Sequence, residues 1–420
     1  MAEDDRTVRR LSPDRRVVGD LPDVTPDEYA ASFGEALGRT LDLDTWLPGE
    51  DLSKLYDRLE QEVHDAVGQE GSVLEAIRQH VFPRIRTARA APKGAGVYSA
   101  TPDDIKKIHN GLLLNGGVEA CDGTIQPYNT LPLTIFQVGV SLVSYQGSQG
   151  TWSQRLYQRD LRLSGGDTVN EMIELLERRG ESRGPEQPGR RDRLSELAQR
   201  GIMAYAERAI LLRRSNAVWR MGHGNPAPYE LITGSGMLEL MVESTKIIRE
   251  LVEQHQKFVF VPSEPSDRML LTIGQALRPL EYAIVDTLAE QMRATVEHGH
   301  YRWHHTVDLV WDGARVEPQQ WIRNFHDEVA TKVVIGMYRA TEAAPAQLFY
   351  AHQDHAHLAA HIALADSVFQ YTRGFPMLID LADTVCSRVF GRDTLAGPAS
   401  AAYADVGEPW RYLGERMTRL

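Results

Sequence analysis

Hydrophobic positions change their period part-way along the chain. Leu52, Leu55, Leu59 and Val63 recur every three or four residues, the spacing of one face of an amphipathic helix. Upstream, Thr25 is a good N-cap and Pro26 suits a first helical turn, so a helix opens at Pro26-Asp27-Glu28. A further helix is expected near Val73 to Phe82. The pattern changes at Asn115-Gly116-Gly117. Val118 to Thr124, Leu131 to Tyr145 and Thr151 to Leu163 are rich in Val, Ile, Thr and aromatics and are separated by glycine turns. They predict three strands in an antiparallel meander.

Downstream the pattern predicts helices over Thr168 to Arg179, Leu194 to Arg214, Ser235 to His255 and Leu277 to Val296. Strands are expected at Ala217 to Met221, Lys257 to Val261, Val307 to Trp311 and Val333 to Arg339, the last paired with Gln347 to Tyr350. His352 to Phe390 reads as helical. Residues 1–24 are polar with Pro13 and Pro22 and predict a disordered tail. Residues 25–108 form a helical N-terminal extension, 109–395 the main domain, and 396–420 a C-terminal tail. The run GESRGPEQPGRRDR at 180–193 reads as an exposed loop insertion. Strands first, then strands alternating with helices, predict an α/β fold with a mixed sheet flanked by helices.

Composition narrows the class. Hydrophobic residues make up 42% of the 420 positions and charged residues 25%, ordinary values for a globular protein. The longest apolar runs fall short of a membrane span, and the charged first 30 residues carry no signal peptide. Two cysteines, Cys121 and Cys386, supply neither a disulfide framework nor a thiolate zinc site, which points to a reducing cytoplasmic setting. The net charge of −12 counts against a protein that covers DNA with a broad basic face. It leaves room for a nuclease whose few cations line a narrow cleft.

The sharpest local feature is Glu119-Ala120-Cys121-Asp122-Gly123-Thr124. An acid closing a buried strand, with glycine following at once, projects into a cleft while the backbone turns away. The plainer alternative is an Asp-Gly turn in which Asp122 caps its own backbone. Histidines gather at His298, His300, His304 and His305, and again at His352, His355, His357 and His361. His357 and His361 share a helix face, as zinc-binding pairs do, although a structural or interface role is the simpler reading for most of these histidines. Arg178 to Arg193 either contacts phosphates or is solvated loop charge. There is no Walker A motif, dinucleotide glycine fingerprint or nucleophile elbow.

The order of these pieces resembles the NurA family of DNA-end-processing nucleases, across about residues 110 to 390. The pieces are Asp122-Gly123-Thr124, Glu207 within Ala204-Tyr205-Ala206-Glu207-Arg208-Ala209, Arg220 to Pro226, Lys257 to Ser263, and Gly374-Phe375-Pro376 running to Asp383. The resemblance implies a ribonuclease H-like core and a metal-dependent DNA nuclease using Mn²⁺ or Mg²⁺. It also implies a homodimer that docks on a HerA-type hexameric ATPase, in DNA-end processing or defence against foreign DNA. Asp122 becomes the central ligand and Glu207 approaches from the helix over the sheet. The family's second Asp-Gly-Ser is replaced by Gly222-His223-Gly224, and its late tyrosine and histidine by Phe375 and Asp383. His223, Glu230 and Asp383 are then the substitutes that complete the set. Otherwise the chain is a catalytically reduced subunit that docks on the translocase. Glu239 and Glu243, four apart on one helix, could also reach a cation but read more simply as surface charge.

Overall fold

The computed structural model describes residues 25–46, 48, 52–129, 133–159, 168–177, 196–263, 267–298, 309–391 and 393–409. The expected N-terminal tail, the 180–193 loop, His300, His304 and His305 lie outside these residues. The chain divides into two units at Arg84/Ile85, with 266–268 grouped with the first.

The first unit is helical. Thr25 caps α1 (Pro26–Phe33) through a capping box: its Oγ1 accepts from Glu28 N–H, and Glu28 Oε2 accepts from Thr25 N–H. A short α2 (Leu37–Leu41) precedes α3 (Leu52–His80). The two expected helices around Leu52 and Val73 are therefore one helix, because Ala66 to Ser72 contains no proline to break it. Leu55, Leu59, Val63, Val67 and Val73 on α3 are exposed, which leaves an apolar stripe uncovered. The turn α4 (Phe82–Ile85) ends the segment.

In the second unit β1 (Gly96–Ser99) and α5 (Pro102–Ile108) lead to the long meander β2 (Val118–Asn129), β3 (Leu133–Ser144) and β4 (Gly147–Arg159). Next come α6 (Thr168–Glu177), α7 (Glu196–Arg214), β5 (Trp219–His223), α8 (Tyr229–Ile232), α9 (Leu238–Glu250) and β6 (Phe258–Val261). They are followed by α10 (Arg268–Gln275), β7 (Glu281–Thr287), α11 (Leu288–His298), the small hairpin β8 (Leu309–Trp311) and β9 (Ala314–Val316), and α12 (Pro318–Glu328). The chain closes with β10 (Val333–Arg339), β11 (Gln347–His352), α13 (Ala356–Ser367), α14 (Met377–Phe390) and α15 (Asp393–Asp405).

Nine strands form one mixed sheet in the order β1-β7-β10-β11-β6-β5-β2-β3-β4. The meander β2-β3-β4 is antiparallel as expected, while β2, β5 and β6 run parallel. Taken from β4 to β6 the order is third-second-first-fourth-fifth, the arrangement of a ribonuclease H-like core. Helices flank this sheet. Ala359, Ala360, Ala363 and Ala365 of α13 are wholly buried in one core with Val118, Ala120, Met221 and Val259. Alanine's small side chain lets that helix lie close against the strands.

Three features differ from the sequence reading. Leu277 to Val296 is not one helix: Glu281–Thr287 is strand β7, and only Leu288–His298 is helical. Tyr282, Ala283 and Ile284 are buried between β1 and β10, so both faces of the strand are apolar and its alternation disappears. The four-residue β1 is too short to carry a period. Residues 393–405, which run from the end of the expected main domain into the expected C-terminal tail, form α15 despite Pro398, on the strength of an alanine-rich run.

A buried acid ties the layers together. Asp366, at the end of α13 and fully buried, accepts from Tyr145 Oη at 2.5 Å and from Leu378 N–H at 2.9 Å. It thus caps the first turn of α14 from a distance. Burial pushes its carboxyl up from 3.8 to about 7, against the lowering effect of those two bonds. Between these pH values the folded state keeps a proton that the unfolded chain releases, so stability falls as pH rises through the window and levels off above it. The loss is on the order of 1.4 kcal/mol for each pH step of one across that window. Asp366→Asn should remove much of that slope in urea unfolding between pH 4 and 8. An unchanged slope would assign the pH dependence to another group.

Candidate active site

The parallel pairing of β2 with β5 covers Val118 to Cys121 opposite Trp219 to Gly222. Asp122 is the first residue of β2 beyond that pairing, and His223 is the last residue of β5. The two side chains meet there. His223 Nδ1 lies 3.1 Å from Asp122 Oδ1, which also accepts the Gly123 N–H at 2.9 Å. Asp122 is 5% exposed, so its charge is held by these contacts rather than by bulk water. The strand neither ends nor turns at Asp122-Gly123 as the sequence suggested: both residues stay paired with β3 and β2 runs on to Asn129, so what stops at Cys121 is the pairing with β5.

Strand alternation separates the neighbours of Asp122 onto two faces. Ser141, paired with Asp122 across β3, donates to Ala382 O of α14 at 2.6 Å. Cys386 of α14 is pushed up to about 12 by burial, with the charges of Asp122 and Glu207 adding to it. On the other face Cys121 Sγ donates to Glu207 O of α7 at 3.5 Å. A Cβ on Gly123 would lie 2.6 Å from Glu207 Oε1 and 3.0 Å from its Cγ. Glycine after the acid is therefore what lets Glu207 reach the strand. Gly222 serves β5 in the same way, since a Cβ there would sit 2.1 Å from the Phe260 ring.

Glu207 is buried, and its neighbour Arg208 turns back to pair with it. Burial raises the Glu207 carboxyl to about 7; Arg208 opposes this and Asp122 adds to it. All five N–H groups of Arg208 find acceptors. Glu207 Oε2 takes one, Ala204 O (3.1 Å) another, and the rest go to the carbonyls of His223 (3.3 Å), Asn225 and Pro226 (3.3 Å). The guanidinium also lies 5.5 Å over the Phe260 ring. Sequence reasoning named Glu207 and passed over Arg208. The available signal was an adjacent acid and base inside an otherwise apolar helical stretch.

His223 is drawn in two directions. Its burial disfavours charge, but the hydrogen bond and charge of Asp122, with Glu207 behind it, prevail and raise its pKa. Its ring meets Phe375 edge-on at 6.0 Å, so the aromatic at this late position packs against the substituted turn. The remaining candidates stand apart. Glu230 sits in the first turn of α8, its carbonyl accepting from Ser235 Oγ at 3.3 Å. Asp383 lies exposed on α14 and accepts from Ser387 Oγ at 3.2 Å. Glu239 is exposed and Glu243 pairs with Lys246 at 2.8 Å, as solvated helix charges do. Among the described residues no three His, Cys, Asp or Glu side chains converge closely enough to hold a metal ion as they stand, at Asp122 or at His357 and His361.

In backbone trace the chain is similar to NurA nucleases. The NurA nuclease from Sulfolobus solfataricus superposes with a TM-score of 0.43 at 10% identity, over 85% of this chain and 99% of that one. A NurA structure with manganese gives 0.35 at 10% identity, over 72% and 96%. Endonuclease V from Ciona intestinalis, in complex with an inosine-containing DNA, gives 0.25 at 10% identity, over 64% and 84%. No family model matches the sequence, and no curated protein does. Likeness this loose assigns no activity, so function rests on the site itself.

The Arg208 contacts make a direct prediction. Arg208→Lys keeps the charge but replaces a five-donor fork by three donors, leaving buried carbonyls unpaired. It should destabilise the fold by about 1–3 kcal/mol for each group stranded. Denaturant unfolding reads this; a loss below about 0.5 kcal/mol, as for an ordinary surface change, would show that the guanidinium geometry is dispensable.

Proposed function

We propose that the protein is a metal-dependent nuclease that hydrolyses the phosphodiester backbone of DNA, centred on Asp122. One observation carries the reading. Two buried carboxylates, one of them hydrogen-bonded to an imidazole, lie near the carboxyl end of the parallel strands, where α/β sheets bind their ligands. Among the described residues, each retains one atom without a hydrogen-bond partner: Asp122 Oδ2, Glu207 Oε1 and His223 Nε2.

This donor set suits a divalent cation in its chemistry. Asp122 and Glu207 offer the hard oxygens that Mn²⁺ and Mg²⁺ take, and His223 Nε2 shifts the preference towards Mn²⁺. Such an ion, when bound, polarises a phosphate oxygen and lowers the pKa of water. The chain's own contribution is to hold Asp122 between Gly123 N–H and His223, and to keep Glu207 dry against α7. Glu230 and Asp383, which stand apart in this structure, are the further acids that would have to fold in to complete the charge around the phosphate. The motif order that resembles NurA extends the proposal to work in the cytoplasm beside a HerA-type hexameric ATPase, in end processing or antiphage defence. The uncovered apolar stripe of α3 supports a homodimer.

A second reading is favoured by Arg208. Its guanidinium already neutralises Glu207, so the chain supplies a fixed cation where an enzyme needs a mobile one. On that reading the protein is a catalytically reduced subunit that docks on and regulates the translocase.

Calorimetric titration with Mn²⁺ separates the two. Micromolar binding and DNA digestion, both lost in Asp122→Ala with the melting temperature retained, are the results expected of the enzyme. Absence of binding up to millimolar metal, with DNA present, would leave the docking subunit. If the enzyme reading holds, His223→Asp restores a negative ligand and should extend activity from Mn²⁺ towards Mg²⁺. Light scattering should give a mass of twice 47.1 kDa; a clean monomer at micromolar concentration would contradict the dimer.

A further inference from the structure

We propose that Gln291 is a DNA-contacting residue that donates both its amide N–H groups to a backbone phosphate; this rests on the nuclease reading above. The orientation of its amide is fixed by a chain of hydrogen bonds that starts at the backbone. Asn225 Oδ1 accepts the Ala227 N–H at 2.9 Å, which turns Asn225 Nδ2 outward. That Nδ2 donates to Gln291 Oε1 at 3.2 Å, and Tyr350 Oη donates to the same oxygen at 3.1 Å. With its oxygen occupied twice, Gln291 presents Nε2 to solvent from an exposed position on α11, its two N–H groups free among the described residues. A pinned amide loses little rotamer freedom on binding, unlike a free surface glutamine.

Its place in the sheet is the second observation. Cys121, Gly222, Phe260 and Tyr350 are register partners across β2, β5, β6 and β11 and therefore form one row on the face covered by α7. Three strand spacings separate the ends of that row, about 14 Å. Gln291 stands over the Tyr350 end, and Asp122 follows Cys121 at the other. A strand lying across the site covers this distance in about four nucleotides at about 3.4 Å of rise each. Asn225, two residues beyond His223, ties the donor to the candidate centre through the same loop that Arg208 holds. In a chain of net charge −12, a neutral double donor grips a phosphate without a further cation.

The test is fluorescence anisotropy of labelled single-stranded DNA on the full chain, with Ca²⁺ replacing Mn²⁺. Gln291→Glu should weaken binding about tenfold or more by setting a carboxylate against the phosphate, and Gln291→Ala several-fold. Both variants should keep the wild-type melting temperature, and Gln291→Ala the wild-type salt slope, because a neutral donor releases no counterion. Gln291→Lys should bind with a slope steeper by about one. The loss should be equal for oligothymidine and for mixed sequence. Wild-type affinity in Gln291→Glu would overturn the proposal, and a loss confined to one base composition would overturn the phosphate assignment. A wild-type chain that binds no DNA at all would instead remove the nuclease reading, and this inference with it.

Discussion

Arg208 is the residue on which the candidate site depends. A guanidinium that is 3% exposed is costly to bury unless every N–H is matched, and four of its five acceptors are backbone carbonyls. Those carbonyls belong to α7, to the end of β5 and to the loop after it, so one side chain fixes the helix that carries Glu207 against the turn that carries His223. The fifth bond holds Glu207 itself. Position and charge at the site are thus set by the same contact.

That contact also explains why the site is compact without being a finished metal cage. Asp122 and Glu207 lie on opposite faces of the sheet, with Gly123 providing the gap that Glu207 fills. His223 bridges from the strand that stops there. Asp122 therefore stands at the border of two cores, one under α14 and one under α7. The burial that raises Glu207 and Cys386 comes from that position.

How much of this was legible in the sequence depends on range. Local signals read well for the Thr25 cap and the β2-β3-β4 meander, which follow from turn chemistry and alternation within a few residues; the strand exit expected at Asp122-Gly123 does not occur, because pairing with β3 carries β2 on to Asn129. The run 277–296 failed because a strand buried on both faces shows no period, and β7 is identifiable only through β1 and β10. Asp122 and Glu207 were visible as an acid before glycine and an acid among apolar neighbours. Arg208 and Gln291 were not, since their meaning lies in carbonyls and amides reached only after folding. His223 was noticed as a departure from a pattern, and its contact with Phe375 links two departures 152 positions apart.

The sheet also has a temporal order written into it. β2 meets β3 through a short connection, whereas its other neighbour, β5, arrives about a hundred residues later, after α6 and α7. Closing so large a loop costs entropy before any pairing rewards it. The meander is therefore able to form while β5 is still unplaced, with Asp122 already in its ladder but lacking its histidine. The pairing of Asp122 with His223 waits on the closure of that loop, so a chain that has folded only its meander has the scaffold of the site without its chemistry.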